Sequence, residues 1–522
     1  MFGIIRKKIF SPDIIALFII LSVVYFKDFF LSCTNYLNLS FNSQIPLTWD
    51  FTSLNNLLPY KDIYFPYGIL FYFKNTIPFL GVISFFLPTI LFTSIYIIFK
   101  RVFRSKFLAL ASFISFYLFI YKYTGIENFI RYGIILFHAL LFSYVFYKAR
   151  VISIKVSFFS GILIGCIFSL INDQGIYAFL LFIFLLAISS VLKKVEKLNY
   201  FKFLFSRIIA NLLGFVVGFL PFFIFLNSNK ITSEFFSFMK HLSDFQLYAK
   251  TPFIPFSTTT DNLFTFGSIF IAIVALSYKI FFSQRKLTLI SFLEISLVFT
   301  LILLEQKNII RSIDKQITFI AFFLYIVLFC ELIINKIGKF STVFCFIIIS
   351  ALILSGFGLH PFINYSLNFK KDLINSFFQK NINDFLANKN QLCLDDNLNK
   401  LIVGKNTKLE KVKKIIEKDS KGYSKIFDYL SDPVFYVLFN QKPPYYFTIF
   451  EGTPLYAQES NIKYIEENRV RYIIYNTDAL GVQDSVPDYV RNKFLFKYVL
   501  NNFKVLDKVE NFIIFKKIEG EI

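Results

Sequence analysis

Apolar residues run in stretches of about 20 along the first 360 positions, and short polar loops separate them. A helix of about 20 residues is about 30 Å long, the thickness of a bilayer's hydrocarbon core. The pattern predicts about eleven transmembrane helices, near residues 10–30, 76–98, 103–121, 129–147, 151–171, 175–192, 208–226, 262–282, 287–304, 317–335 and 340–359. Lys27 and Asp28 fall near the end of the first, where charged side chains reach the interface. The periodicity changes in two places. The stretch Ile231–Leu247 sets Phe235, Phe236, Phe238, Leu242 and Phe245 among polar residues. That spacing predicts an amphipathic helix, lying on the membrane or packed on an outer domain. Beyond Gly358 the long apolar runs stop, and Asn, Asp, Lys and Tyr rise. Helix-like segments (Leu409–Lys418, Asn461–Asn468, Tyr489–Asn502) then alternate with strand-like ones (Lys400–Val403, Val470–Tyr475, Phe512–Lys516). The expected organisation is an α-helical polytopic membrane domain over residues 1–360 and a small α/β domain over 361–522. No internal repeat and no low-complexity linker interrupts it.

Composition agrees with this reading. Apolar residues make up 56% of the chain and charged residues 17%, against about 25% in a soluble domain. A disordered chain is excluded, and an ordinary soluble enzyme is disfavoured. The net charge of +21 raises nucleic acid as a partner. The surplus, however, lies in short loops between apolar runs, which is a topology signal. Residues 1–360 hold 31 Lys and Arg, of which 20 fall at the N-terminus (Arg6, Lys7, Lys8) and in the loops on its side. By the positive-inside rule the N-terminus is cytoplasmic, and an odd number of spans puts residues 361–522 outside the cell membrane. No small-residue cleavage site follows the first apolar run, which therefore reads as a retained span. The five cysteines have no metal-ligand spacing, and Cys166, Cys330 and Cys345 lie in apolar runs, where Cys serves as a small hydrophobe.

There is no Gly-rich phosphate loop and no paired Cys/His pattern, so a nucleotide-driven pump and a dinucleotide enzyme are disfavoured. His138, His241 and His360 read as structural. Ionisable residues near the membrane surface collect instead on the side assigned as outer: Asp50, Asp62, Glu127, Arg131, Asp173, Glu305, Arg311 and Asp314. Asp173 sits in Ile171-Asn172-Asp173-Gln174-Gly175, a short polar turn between two apolar runs, where a carboxylate is costly unless used or paired. The first outer loop reads Thr48-Trp49-Asp50-Phe51-Thr52, then Leu57-Leu58-Pro59-Tyr60-Lys61-Asp62-Ile63-Tyr64-Phe65-Pro66-Tyr67-Gly68. Asp50 also fits the N-cap of a short helix beginning near Phe51.

This loop resembles the first extracytoplasmic loop of GT-C-fold glycosyltransferases, the superfamily of family 39, the protein O-mannosyltransferases and the aminoarabinose transferases. Their relatives carry an Asp, often followed by Glu, then a Gly-x-x-Pro-Tyr-x-Asp segment about a dozen residues on and a Tyr-Pro-Pro or Tyr-Gly-Pro turn. Here Asp50, Pro59-Tyr60-Lys61-Asp62 and Pro66-Tyr67-Gly68 match. Phe51 stands where Glu is common, and Asn56 near where Gly is common. Asn172-Asp173-Gln174-Gly175, Arg311-Ser312-Ile313-Asp314-Lys315-Gln316 and Tyr436-Val437-Leu438-Phe439-Asn440-Gln441-Lys442-Pro443-Pro444 resemble further elements of the same family. The resemblance implies transfer of a sugar from a polyprenyl-phosphate donor to a glycan, lipid or protein acceptor, with membrane lipids and no nucleic acid as partners. Asp50 and Asp173 are then the candidate catalytic carboxylates. Arg311 is the phosphate partner, with Lys315 or Arg131 as substitutes. Asp62 and Tyr60 shape or bind the substrate. A divalent metal is implied only where Asp50 and Asp173 converge, and the absence of an adjacent Glu weighs against it. Two other classes stay open. One is a lipid-linked-sugar flippase or transporter, expected to place broken helices at mid-membrane. The other is an O-antigen-type polymerase or ligase, expected to rely on outer-loop arginines.

Overall fold

The computed structural model describes residues 11–31, 41–65, 68–73, 78–102, 106–120, 126–148, 152–192, 200–248, 260–278, 288–311, 407–420, 425–477 and 491–518, with Ile320, Ala321, Phe323, Leu324 and Val327. These residues are mostly helical and carry one small sheet. Nine of the predicted apolar runs coincide with helices, from Pro12–Leu31 to Leu289–Arg311. The runs at 317–335 and 340–359 lie outside the described residues, those five positions apart, as does the expected strand Lys400–Val403. Among the described residues two helices, Asn172–Val191 and Phe201–Ser228, are long and apolar enough to cross a membrane. Shorter apolar stretches of 10–17 residues lie at Pro12–Ser22, Gly133–Lys148, Ile154–Leu170, Gly267–Ser277 and Leu289–Leu304.

The chain divides into two compact units. The first comprises Met1–Leu31, Val82–Phe222 and Phe256–Lys380. In it the helices Ile126–Lys148, Asn172–Leu192 and Leu289–Arg311 pack on one another. Phe142, Leu181, Phe182, Leu185, Leu297 and Leu301 form part of their shared core. A polar tie joins two of these helices, where Ser143 Oγ donates to Ser296 Oγ at 2.7 Å. A second seam joins Ile154–Leu170 to Tyr200–Ser228. Gly161 and Gly165 on one helix face Gly214 and Gly218 on the other, and a Cβ at any of the four would strike the opposing backbone carbonyl. Cys166 Sγ lies 3.7 Å from the Gly218 carbonyl, and Asn211 Nδ2 donates to Ser157 O at 3.0 Å. Two small-xxx-small pairs thus let two backbones meet, as membrane helices do. On Tyr200–Ser228, Phe201 is 83% exposed, Leu213 58% and Val216 60%.

The second unit comprises Ser32–Gly81, Phe223–Pro255 and Asn381–Ile522. The first loop and the amphipathic segment therefore fold with the C-terminal region. The expected amphipathic helix is present as Thr232–Tyr248, and it packs against the short helix Ile449–Gly452. Among its described residues the α/β region carries four strands, β1 (Ile426–Asp428), β2 (Tyr472–Asn476), β3 (Phe503–Val509) and β4 (Phe512–Lys517), in the order β1-β2-β4-β3. β1 and β2 are parallel, with Ile426 opposite Tyr472, and the other pairs are antiparallel. Edge strand β1 is covered by side chains: Ile426 N donates to Gln441 Oε1 and Asp428 N to Tyr436 OH. That closes backbone groups which would otherwise template another strand.

Candidate functional site

The helix Phe41–Leu54 carries Asp50, and it ends in a Schellman motif. Leu57 N donates to Thr52 O, Asn56 N donates to Ser53 O, and Asn56 takes the left-handed conformation at φ 57. That position favours Gly and tolerates Asn. Asp50 lies inside this helix and is not its N-cap; the helix begins at Phe41, well before the start near Phe51 that the sequence pattern marks. Thr48, Trp49, Phe51 and Thr52 are buried around a half-buried Asp50.

After the cap the chain makes the Leu58–Asp62 turn. Asp62 N donates to Leu58 O at 2.9 Å, Leu58 N donates to Asp62 Oδ2 at 2.9 Å, and Tyr60 is left-handed at φ 70. Asp62 Oδ1 pairs with Lys442 Nζ at 2.7 Å. Burial pushes this carboxyl up, but Lys442 and the Leu58 N–H together hold it below the ordinary Asp range. Tyr72 OH donates to Leu57 O at 2.6 Å and lies 3.1 Å from Thr52 Oγ1. Burial first, and then the charges of Asp62 and Asp50, raise the Tyr72 hydroxyl well above its ordinary value. The structure therefore brings Asp50, Asp62 and Tyr72 into one electrostatic neighbourhood.

Tyr60, expected to bind substrate, is 2% exposed and packs its ring on Phe235 and Phe238, at 5.2 and 4.9 Å between centroids. Its carbonyl accepts from Tyr445 OH at 2.9 Å, and Tyr64 N donates to Tyr445 O at 2.8 Å. Two segments far away in sequence thus lock the turn. Asp173 belongs to the first unit. There Ile171 alone separates two helices, and Asn172, Asp173 and Gln174 form the first turn of the next one instead of a free turn. A carboxylate in a first turn is favoured by the helix dipole. Asn172 and Gln174 are buried beside a half-buried Asp173. A Cβ at Gly175 would strike Phe168, so this sharp reversal needs glycine. Arg131 lies on Ile126–Lys148, and Arg311 ends Leu289–Arg311. Their side chains, and Lys315, Pro66 and Tyr67 entirely, lie outside the described residues. His138 is buried at 0% exposure, its Nδ1 3.2 Å from Ile134 O.

Sequence reasoning read His241 as structural and quoted Lys442 only within a matched segment, and it passed over Tyr445, Tyr446, Tyr456 and Glu451. The run Lys442-Pro443-Pro444-Tyr445-Tyr446 was the available signal, but only the fold joins it to the first loop. Among the described residues no group of three or more His, Cys, Asp or Glu side chains could hold a metal ion. No known family model and no curated protein matches this chain.

Proposed function

We propose that the chain is a multi-pass, integral-membrane glycosyltransferase of GT-C type. It moves a sugar from a polyprenyl-phosphate donor to an acceptor at the outer membrane face. One observation carries the reading. The loop holding Asp50 and the Pro59-Tyr60-Lys61-Asp62 turn is built into a folded unit with the C-terminal α/β region, and there Asp62 is committed to its turn and to Lys442. Asp50 is the carboxylate of that loop assigned to chemistry. The bare apolar side of Tyr200–Ser228 and the glycine seam behind it support a lipid surrounding, since lipid-exposed helices need no polar face and associate through small residues.

The chemistry follows from the donor. Its prenyl chain stays in the bilayer and its phosphate sits at the surface. Asp50 takes the proton of the acceptor hydroxyl as that oxygen attacks the anomeric carbon. The bond to phosphate breaks, the electron pair leaves with the polyprenyl phosphate, and the anomeric configuration inverts. Arg311, with Lys315 or Arg131, offsets the charge gathering on the departing phosphate. Asp173 is the second candidate base.

The test uses the full chain in lipid nanodiscs, with synthetic polyprenyl-phosphate sugars and an envelope glycan extract. Release of polyprenyl phosphate coupled to sugar incorporation is expected. Transfer straight from a sugar nucleotide, or donor translocation with no transfer, would overturn the reading.

A further inference from the structure

Asp50 lies four residues before the end of the Phe41–Leu54 helix, where carbonyls run out of intrahelical partners and a helix frays unless it is capped. One side chain from the next element closes this end. Tyr72, on the short helix Ile69–Phe73, is 0% exposed. Its hydroxyl donates to Leu57 O, beyond the helix, at 2.6 Å and lies 3.1 Å from Thr52 Oγ1, in the last helical turn. Thr52 Oγ1 in turn donates at 2.9 Å to Trp49 O, the carbonyl bonded to the Asp50 nitrogen. The Tyr72 ring reaches Trp49 by a second route. It packs on Phe65 at 5.1 Å between centroids, and Phe65 packs on the Trp49 ring at 4.8 Å. The residue before Asp50 is therefore held at its carbonyl and at its side chain, and both contacts lead back to Tyr72.

We infer that Tyr72 is the positioning residue of Asp50: its hydroxyl and ring fix the helix turn from which the carboxylate meets the acceptor hydroxyl. The inference rests on the transferase reading and adds to it a residue that, having no exposed surface, acts through Asp50 and not on the substrate. A general base works only within about 2.6–3.2 Å of the group whose proton it takes. A misplacement of about 1 Å costs about a hundredfold in rate. Asp50 stands half-buried near a helix end, where fraying produces displacements of that size. A buried phenol suits the task because it keeps its proton. Burial raises the Tyr72 hydroxyl well above its ordinary value, against the pull of Thr52 and with the push of Asp62 and Asp50. It therefore remains a donor to Leu57 O at every pH at which Asp50 is ionised, and it does not compete for the acceptor's proton.

The full chain in lipid nanodiscs is assayed with a synthetic polyprenyl-phosphate sugar and an envelope glycan extract. Tyr72→Phe keeps the ring and removes the hydroxyl. It is expected to lower kcat about 10–100-fold with KM for the donor within about twofold, while the melting temperature stays near wild type. Tyr72→Leu, which removes both routes to Trp49, is expected to lose more. In an Asp50→Asn background, Tyr72→Phe is expected to leave the residual rate within about twofold, because no base remains to be positioned. The inference falls if Tyr72→Phe has the wild-type kcat, or if KM rises as kcat falls. An equal fractional loss in both backgrounds also overturns it, since that is the mark of a structural role alone. A residual rate too low to measure leaves the decision to kcat and KM. Wild-type protein that transfers no sugar removes the transferase reading itself. Amide exchange across residues 50–57 then decides whether Tyr72 holds the turn, and exchange in Tyr72→Phe equal to wild type shows that it does not.

Discussion

Asp50 and Asp62 share one stretch of chain but differ in what surrounds them. The oxygens of Asp62 are engaged, one by the Leu58 N–H and one by Lys442, and Asp50 lies half-buried within the Phe41–Leu54 helix. Asp50→Asn should therefore lower transfer by about 10²–10⁴ while melting temperature stays near wild type, because Asn keeps the shape but accepts no proton. Near-normal transfer would move the base to Asp173. The lowered Asp62 titration has a definite sign. A carboxyl whose folded value lies below its unfolded one, near 3.9, contributes stability above that pH and loses it as pH falls through the lower folded value. The melting temperature of Asp62→Asn should thus lie below wild type at neutral pH, and the gap should close on acidification below about pH 4. A gap independent of pH would show that Lys442 does not hold the carboxylate.

At the scale of elements, the seam between Ile154–Leu170 and Tyr200–Ser228 leaves no room for side chains at its glycines. Its four glycines oppose backbone carbonyls, which cannot rotate away as a side chain can. Gly214→Ala should destabilise by about 1–3 kcal/mol through overpacking, measured as thermal unfolding in detergent. Leu213→Ala, one residue away but 58% exposed, should be nearly silent. Equal effects would mean that the helices do not meet along the glycines. The turn Leu58–Asp62 depends likewise on elements beyond itself. Tyr445→Phe removes the donor to Tyr60 O and is expected to raise amide exchange across residues 57–65 without unfolding the sheet.

At the scale of the whole molecule, charge distribution and apolar length set the expectation. A reporter fused after Ile522 should be active only outside the cytoplasm, and the protein should stay with membranes through alkaline carbonate. Reporter activity in the cytoplasm would reverse the assignment of every loop. Placing a tryptophan at Leu213 in a Trp49→Phe background gives a single-tryptophan chain. Brominated lipids should quench it strongly if the bare side of Tyr200–Ser228 meets acyl chains.

Runs of about 20 apolar residues already located the helices, because hydrophobic length is a local property that needs no partner. The amphipathic spacing of Phe235 and Phe238 and the apolar, strand-like segment Val470–Tyr475 were legible for the same reason. The candidate carboxylates were legible as residue types, since a short polar segment beside an apolar run advertises itself. Local sequence could not show that Asn56 acts as a left-handed cap within a helix starting at Phe41, because a cap is defined by hydrogen bonds to residues already in place. Nor could it show that Gly161 and Gly165 answer Gly214 and Gly218, some fifty residues on. The partnership of Asp62 with Lys442, 380 positions away, and the packing of the Tyr60 ring on Phe235 and Phe238 come from tertiary packing alone. Ion pairs and ring contacts act over a few ångströms in space and leave no periodicity along the chain.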